Sequence, residues 1–79
     1  MTAMVFTQNG CGYCEMAKEL LKKHDIYYRE VNINLIDGAK EELLTKCQRL
    51  GFTPKTVPQI WIDDEYIGGY TELKEKLES

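Results

Sequence analysis

Seventy-nine residues, 43% hydrophobic and 29% charged, suffice for one small globular domain. A net charge of −3 and a pI of about 5.1 argue against a general nucleic-acid binder, which needs clustered Lys and Arg to neutralise phosphates. No apolar stretch approaches membrane-spanning length, and Met1 to Phe6 lacks the basic-then-apolar pattern of a signal peptide, so a cytoplasmic protein with no membrane or nucleic-acid partner is expected.

Residues Thr2 to Thr7 form a short apolar run closed by Gln8-Asn9-Gly10, which reads as a strand and a loop. From Cys14 the period changes. Ala17, Leu20, Leu21 and His24 share one helical face, which predicts a helix from close to Cys11 to near His24-Asp25. Ile26 to Asn32 is β-branched and aromatic and predicts a second strand. Asp37-Gly38 is a plausible helix start, with Asp37 able to accept from free backbone amides. Leu43, Leu44, Cys47 and Leu50 trace that helix, and Gly51 ends it. A loop from Phe52 to Pro58 leads to a strand over Gln59 to Ile62. Asp63-Asp64 then makes a turn into a fourth strand over Glu65 to Ile67. After Gly68-Gly69, Leu73 and Leu77 mark a final helix for which Thr71 is the expected cap. The order is βαβ, α, ββα, with parallel strands in the first unit. Residues 1–79 form a single domain.

Three cysteines cannot build a dense disulfide framework. Two of them, Cys11 and Cys14, stand three positions apart at the junction of a strand and a helix. In a reducing compartment such a pair is catalytic or metal-binding, not structural. A thiol reacts as its anion, and the first turn of a helix supplies unpaired amides and partial positive charge that favour the anion. Cys11 therefore reads as the nucleophile. Cys14, one turn further in, reads as the thiol that attacks a disulfide formed at Cys11 and releases the partner. A zinc site needs about four ligands. The remaining candidates, Cys47 and His24, lie on apolar helix faces, so no metal is expected. Cys47 reads as a small core residue, and Trp61 and Tyr66 as strand packing.

Cys11-Gly12-Tyr13-Cys14, Thr56-Val57-Pro58 and Gly68-Gly69-Tyr70-Thr71 together resemble a glutaredoxin, of the compact dithiol type found in bacteria and their viruses. The resemblance covers nearly the whole chain. It implies a thioredoxin fold, βαβαββα, with a four-stranded mixed sheet flanked by three helices. It implies glutathione as reductant, recycled by an NADPH-dependent reductase. It also implies a cis bond before Pro58, which costs little before proline. The backbone of Val57 would then pair with an extended peptide such as glutathione. Thr56, Gly69, Tyr70 and Thr71 complete the implied glutathione site, with the amides at the head of the last helix receiving the γ-glutamyl carboxylate. Tyr13 would line the groove.

Two departures from the pattern matter. Gly12 stands where proline is commonest in the family, and members without that proline sometimes hold an iron–sulfur cluster between two subunits. Gln8 stands where many relatives carry Lys or Arg to pair with the glycyl carboxylate, and it offers a hydrogen bond but no charge.

The expected function is glutathione-dependent reduction of protein disulfides and glutathione mixed disulfides by a monomer. Its partners are glutathione and disulfide-containing or glutathionylated proteins. Ribonucleotide reductase is a common client of the family, but no residue here encodes that choice. The alternatives are a glutaredoxin-like protein reduced by thioredoxin reductase, favoured slightly by Gln8, and a glutathione-ligated cluster-binding module, suggested by Gly12.

Overall fold

The computed structural model describes all residues from Met1 to Ser79. In chain order the elements are β1 (Thr2–Thr7), α1 (Gly12–Lys23), β2 (Tyr27–Asn32), α2 (Ala39–Arg49), β3 (Gln59–Ile62), β4 (Glu65–Gly68) and α3 (Tyr70–Glu78). The four strands form one sheet in the order β2-β1-β3-β4. β1 pairs parallel with β2, Thr2 opposite Tyr27 and Thr7 opposite Asn32. β1–β3 and β3–β4 are antiparallel. The sheet is mixed and carries three helices, as a thioredoxin fold requires.

The period-two alternation of the strands builds two cores, one on each face of the sheet. Val5, Ile60 and Ile62 point to the face covered by α1 and α3, where they pack with Ala17, Leu21 and Leu73. Phe6, Val31 and Trp61 point to the opposite face and pack with Leu43 and Cys47 of α2. Phe6 and Trp61 meet edge to face with ring centroids 5.6 Å apart. Cys47 is fully buried in this second core, as expected of a small apolar residue, and burial pushes its thiol pKa up. The sheet buries its central strands on both faces, which is why β3 is a continuous run of buried residues.

The turns follow local chemistry. Asp63 and Asp64 both take positive φ, 49° and 68°, as the tight β3–β4 connection needs. Asp63 also accepts the Thr2 amide at 3.0 Å, tying the start of β1 to the hairpin.

Two helix starts differ from expectation. Asp37 does not cap α2. Gly38 is the cap residue, at φ 79°, with no side-chain bond, and a backbone bond from Ala39 N–H to Ile36 C=O (3.1 Å) closes the turn. A left-handed residue at this point turns the chain into the helix without help from a carboxylate. Thr71 does not cap α3 either. The helix begins one residue earlier, at Tyr70, with Gly69 as cap. Glu72 takes the capping role by accepting the Gly69 N–H at 2.8 Å, half of a capping box. Thr71 therefore lies inside the first turn. β4 runs one residue longer than expected, to Gly68, because a bulge between Ile60 and Trp61 shifts the register. No helix is long and apolar enough to cross a membrane.

Candidate active site

The parallel β1 strand delivers the chain to one end of the sheet. Thr7 is buried there, and Gln8 to Gly10 turn outward, with Gly10 at φ 70°. Cys11 follows as the N-cap of α1, in extended conformation. Its own sulfur is the capping group: Cys11 Sγ accepts the Cys14 N–H at 3.1 Å. Sequence reasoning placed Cys11 near a helix start. It did not identify the sulfur as the cap, because capping preferences favour oxygen side chains.

Cys11 and Cys14 are joined as a disulfide, with their Cα atoms 5.3 Å apart. Cys14 is 1% exposed, whereas Cys11 is half-buried. The pair is thus asymmetric, with one sulfur reachable and one covered. Cys11 Sγ also lies 3.7 Å from the carbonyl oxygen of Val57. The Val57–Pro58 bond is cis. The loop before β3 therefore brings its backbone directly against the exposed sulfur. A Cβ placed on Gly12 would meet no atom within 4 Å, so the face beside the thiols is open.

A hollow of about 270 Å³ opens next to this pair. Thr56, Val57 and Pro58 form one wall. Gly69, Tyr70 and Thr71, at the head of α3, form the other. Tyr13 stands over it, 62% exposed, its ring centroid 6.0 Å from that of Tyr70. Seven of the sequence-predicted glutathione residues thus share one hollow with the thiols at its edge. Gln8 is not among them. It lies on the far side of Thr56 and Val57, in a second hollow with Lys40 and Lys55.

Glu72 is the lining residue that the sequence reading left out of the site. Its position three residues after Gly69 was the available signal, since a Glu at that spacing completes a helix cap. Gly68, just before, is at φ 121°, and a Cβ there would come within 2.9 Å of Glu72 Cγ. The double glycine therefore serves two ends: Gly68 admits the Glu72 side chain, and Gly69 starts the helix. With the Gly69 amide bonded to Glu72, the amides of Tyr70, Thr71 and Glu72, all residues that line the hollow, are the first-turn donors of α3 without a helical partner.

Under α1 lies a charged cluster that the sequence reading also missed. Lys18, one turn beyond Cys14, bonds Glu15 at 2.6 Å and Glu30 of β2 at 3.1 Å. The buried Thr7 hydroxyl donates to Glu30 at 2.8 Å. The Glu15 hydrogen bond leads in raising the Lys18 pKa. Burial pushes the Glu30 carboxyl up, but the Thr7 and Lys18 bonds outweigh it and hold it below its ordinary value. Glu15 and Lys18 are three residues apart on one helix face, but Glu30 lies 12 residues from Lys18 and 23 from Thr7, too far for a local pattern to reveal.

A reachable sulfur and a covered one at a helix head, beside a cis-proline loop, on a βαβαββα sheet, define a thiol–disulfide oxidoreductase of thioredoxin fold. Comparison with known proteins narrows the class. The family model described as Glutaredoxin matches residues 3–67. Glutaredoxin 1 of Escherichia coli K12 is 38% identical over 88 aligned positions, covering 100% of both chains. The crystal structure of glutaredoxin 1 from Francisella tularensis complexed with cacodylate superposes with a TM-score of 0.76 at 37% identity, over 95% of this chain and 90% of that one. A buckwheat glutaredoxin–glutathione complex superposes with a TM-score of 0.80 at 27% identity, over 94% of this chain and 66% of that one. The chain belongs to the glutaredoxin family, whose members are glutathione-dependent thiol–disulfide oxidoreductases.

Proposed function

We propose that glutathione lies in the hollow between Tyr13 and Thr71, and that Cys11 and Cys14 divide the chemistry between them. The Cys11 thiolate attacks a sulfur of the substrate disulfide. The S–S bond breaks, and the leaving thiolate takes up a proton. With a glutathione mixed disulfide, the client thiol departs and Cys11 holds glutathione. A second glutathione thiolate then attacks, releasing glutathione disulfide and restoring Cys11. With a protein disulfide, Cys14 attacks the Cys11 mixed disulfide, giving the Cys11–Cys14 disulfide and a fully reduced client. Two glutathione molecules return the pair to dithiol, and an NADPH-dependent reductase recycles them.

The observation that carries this reading is the placing of Cys11 Sγ, 3.1 Å from the Cys14 amide and 3.7 Å from the Val57 carbonyl, at the edge of the hollow. The amide stabilises a thiolate at Cys11, and the loop backbone offers pairing to an extended peptide. The Tyr70 and Thr71 amides are suited to the γ-glutamyl carboxylate. Tyr13 and Thr56 flank the tripeptide, and Gln8 donates to its glycyl end where that end passes over the Thr56–Val57 ridge into the second hollow. The solved glutathione complex of the buckwheat relative supports glutathione as the ligand. The protein acts as a monomeric single domain in the cytoplasm, with disulfide-bonded or glutathionylated proteins as clients.

The test is turnover in a coupled assay with glutathione, glutathione reductase and a mixed-disulfide substrate. Cys11→Ser should abolish it, and activity that survives would sink the assignment. Cys14→Ser should spare glutathione mixed disulfides while reducing protein disulfides at least about tenfold more slowly. Reduction of the oxidised protein by thioredoxin reductase but not by glutathione would overturn the choice of reductant.

A further inference from the structure

We propose that Gln59 is a positioning residue for glutathione: braced by the Tyr66 hydroxyl, its side-chain amide pins the Thr56 carbonyl and so holds the Val57 backbone where it receives the tripeptide beside Cys11. The inference rests on the glutathione reading given above and names what keeps one wall of that hollow in place.

Thr56 and Val57 belong to a loop with little of its own to hold it. From Thr53 to Pro58 the main chain makes no hydrogen bond to other main chain. Besides the Cys11 Sγ contact at Val57, its polar tether is the Gln59 Nε2–H, which donates to the Thr56 carbonyl at 2.9 Å. Gln59 is 6% exposed, so water competes little for this bond. A buried glutamine costs free energy unless both ends of its amide are satisfied. The Tyr66 hydroxyl meets the other end, donating to Oε1 at 2.6 Å. The Thr56 carbonyl only accepts, so the amide has one workable orientation, with Nε2 toward the loop and Oε1 toward Tyr66. Burial raises the Tyr66 phenol pKa, which keeps its hydroxyl a donor.

Tyr66 holds both ends of the loop. Its ring packs on Phe52, with centroids 5.3 Å apart, and on Trp61 at 5.0 Å. Phe52 opens the loop, and Thr56 is reached through Gln59. Tyr66 also stands on β4, two residues before Gly68, where the chain turns toward the head of α3. The loop and the head of α3 are the two walls of the glutathione hollow. The line Tyr66–Gln59–Thr56 therefore braces one wall against the strand that carries the other. Neither Gln59 nor Tyr66 lines the hollow, so each acts through the loop and not by touching the ligand. Losing the brace weakens binding of the peptide main chain in ground state and transition state alike, which raises KM and spares kcat.

The test is steady-state reduction of a peptide that carries glutathione as a mixed disulfide. The control is the same peptide carrying β-mercaptoethanol, which has no main chain to pair with Val57. Gln59→Leu keeps the bulk and removes both bonds. It should raise KM for the glutathionylated peptide about fivefold, the worth of one hydrogen bond, with kcat within about twofold of wild type. KM for the control peptide should not rise. Gln59→Leu also leaves the half-buried Tyr66 hydroxyl without its acceptor and should lower stability in urea. Adding Tyr66→Phe keeps the ring on Phe52 and Trp61 and removes that orphan. The double variant should regain most of the stability while KM stays raised. Should Gln59→Leu alone fail to fold, the double variant decides. A KM unmoved in the double variant, a KM that recovers along with stability, or an equal rise for both peptides would overturn the proposal. A wild type with the same KM for both peptides would sink the glutathione reading, and the brace with it.

Discussion

At Cys11 one atom does two jobs. The sulfur caps α1 through the Cys14 amide, and in the mechanism proposed above the same contact would stabilise the Cys11 thiolate. Gly12, beside it, is the first residue of α1, where proline's fixed φ and missing N–H are tolerated. Nothing lies within 4 Å of a Cβ there. Gly12→Pro is therefore expected to fit and to raise stability by about 0.5–1 kcal/mol, through a less flexible unfolded chain. A higher thermal midpoint checks it, and a lower one would show that this turn needs glycine. Gly68 is the opposite case. Its φ of 121° and the 2.9 Å approach to Glu72 leave no room for a methyl group. Gly68→Ala should cost roughly 1–3 kcal/mol in urea unfolding and weaken glutathione turnover, because displacing Glu72 disturbs the head of α3.

Between elements, the Thr7–Glu30–Lys18–Glu15 cluster ties α1 to the two parallel strands beneath it. It joins the helix that carries the thiols to the strand that delivers them. The Glu30 carboxyl titrates lower in the folded protein than in the unfolded chain. Its stabilisation is therefore complete above the ordinary Glu value and is lost as pH falls through the lowered folded value. Glu30 keeps about a third of its side chain in water, so solvent screens the pair and its worth is about 0.5–1 kcal/mol. Glu30→Gln should be less stable than wild type by that amount at neutral pH. The gap should close in acid, well below pH ~4.3. Denaturant unfolding at both ends of that range measures it, and a gap that persists in acid would assign the loss to packing instead. The β1–α1 and β4–α3 junctions meet at the site because both follow strands of one sheet, and the loop before β3 closes it from between them.

For the whole molecule, the two-sided core was legible in the chain. Val5 and Phe6 alternate, Ala17, Leu20 and Leu21 keep a helical period, and every element was predicted in the observed order. Such periods are local properties of a chain that must hide one face of each element. The ends were less legible. Asp37 and Thr71 are good caps by composition, yet Gly38 and Gly69 hold those positions, because the approach of the chain decides which residue meets the free amides. The charged cluster under α1, the capping role of Glu72 and the separation of Gln8 from the main hollow all depend on folding, not on spacing.

By itself the sequence determined the class of chemistry. Two thiols three positions apart at a helix head, a proline loop and a double glycine carry enough local physics to announce a dithiol redox protein. Only the tertiary structure decided that Cys11 Sγ meets the Val57 carbonyl, that Tyr13 and Thr71 face each other across one hollow, and that Lys40 and Lys55 flank a second. Those contacts join residues some 15 to 60 positions apart. No periodicity links them, and they exist because one sheet brings the ends of its strands to a common edge.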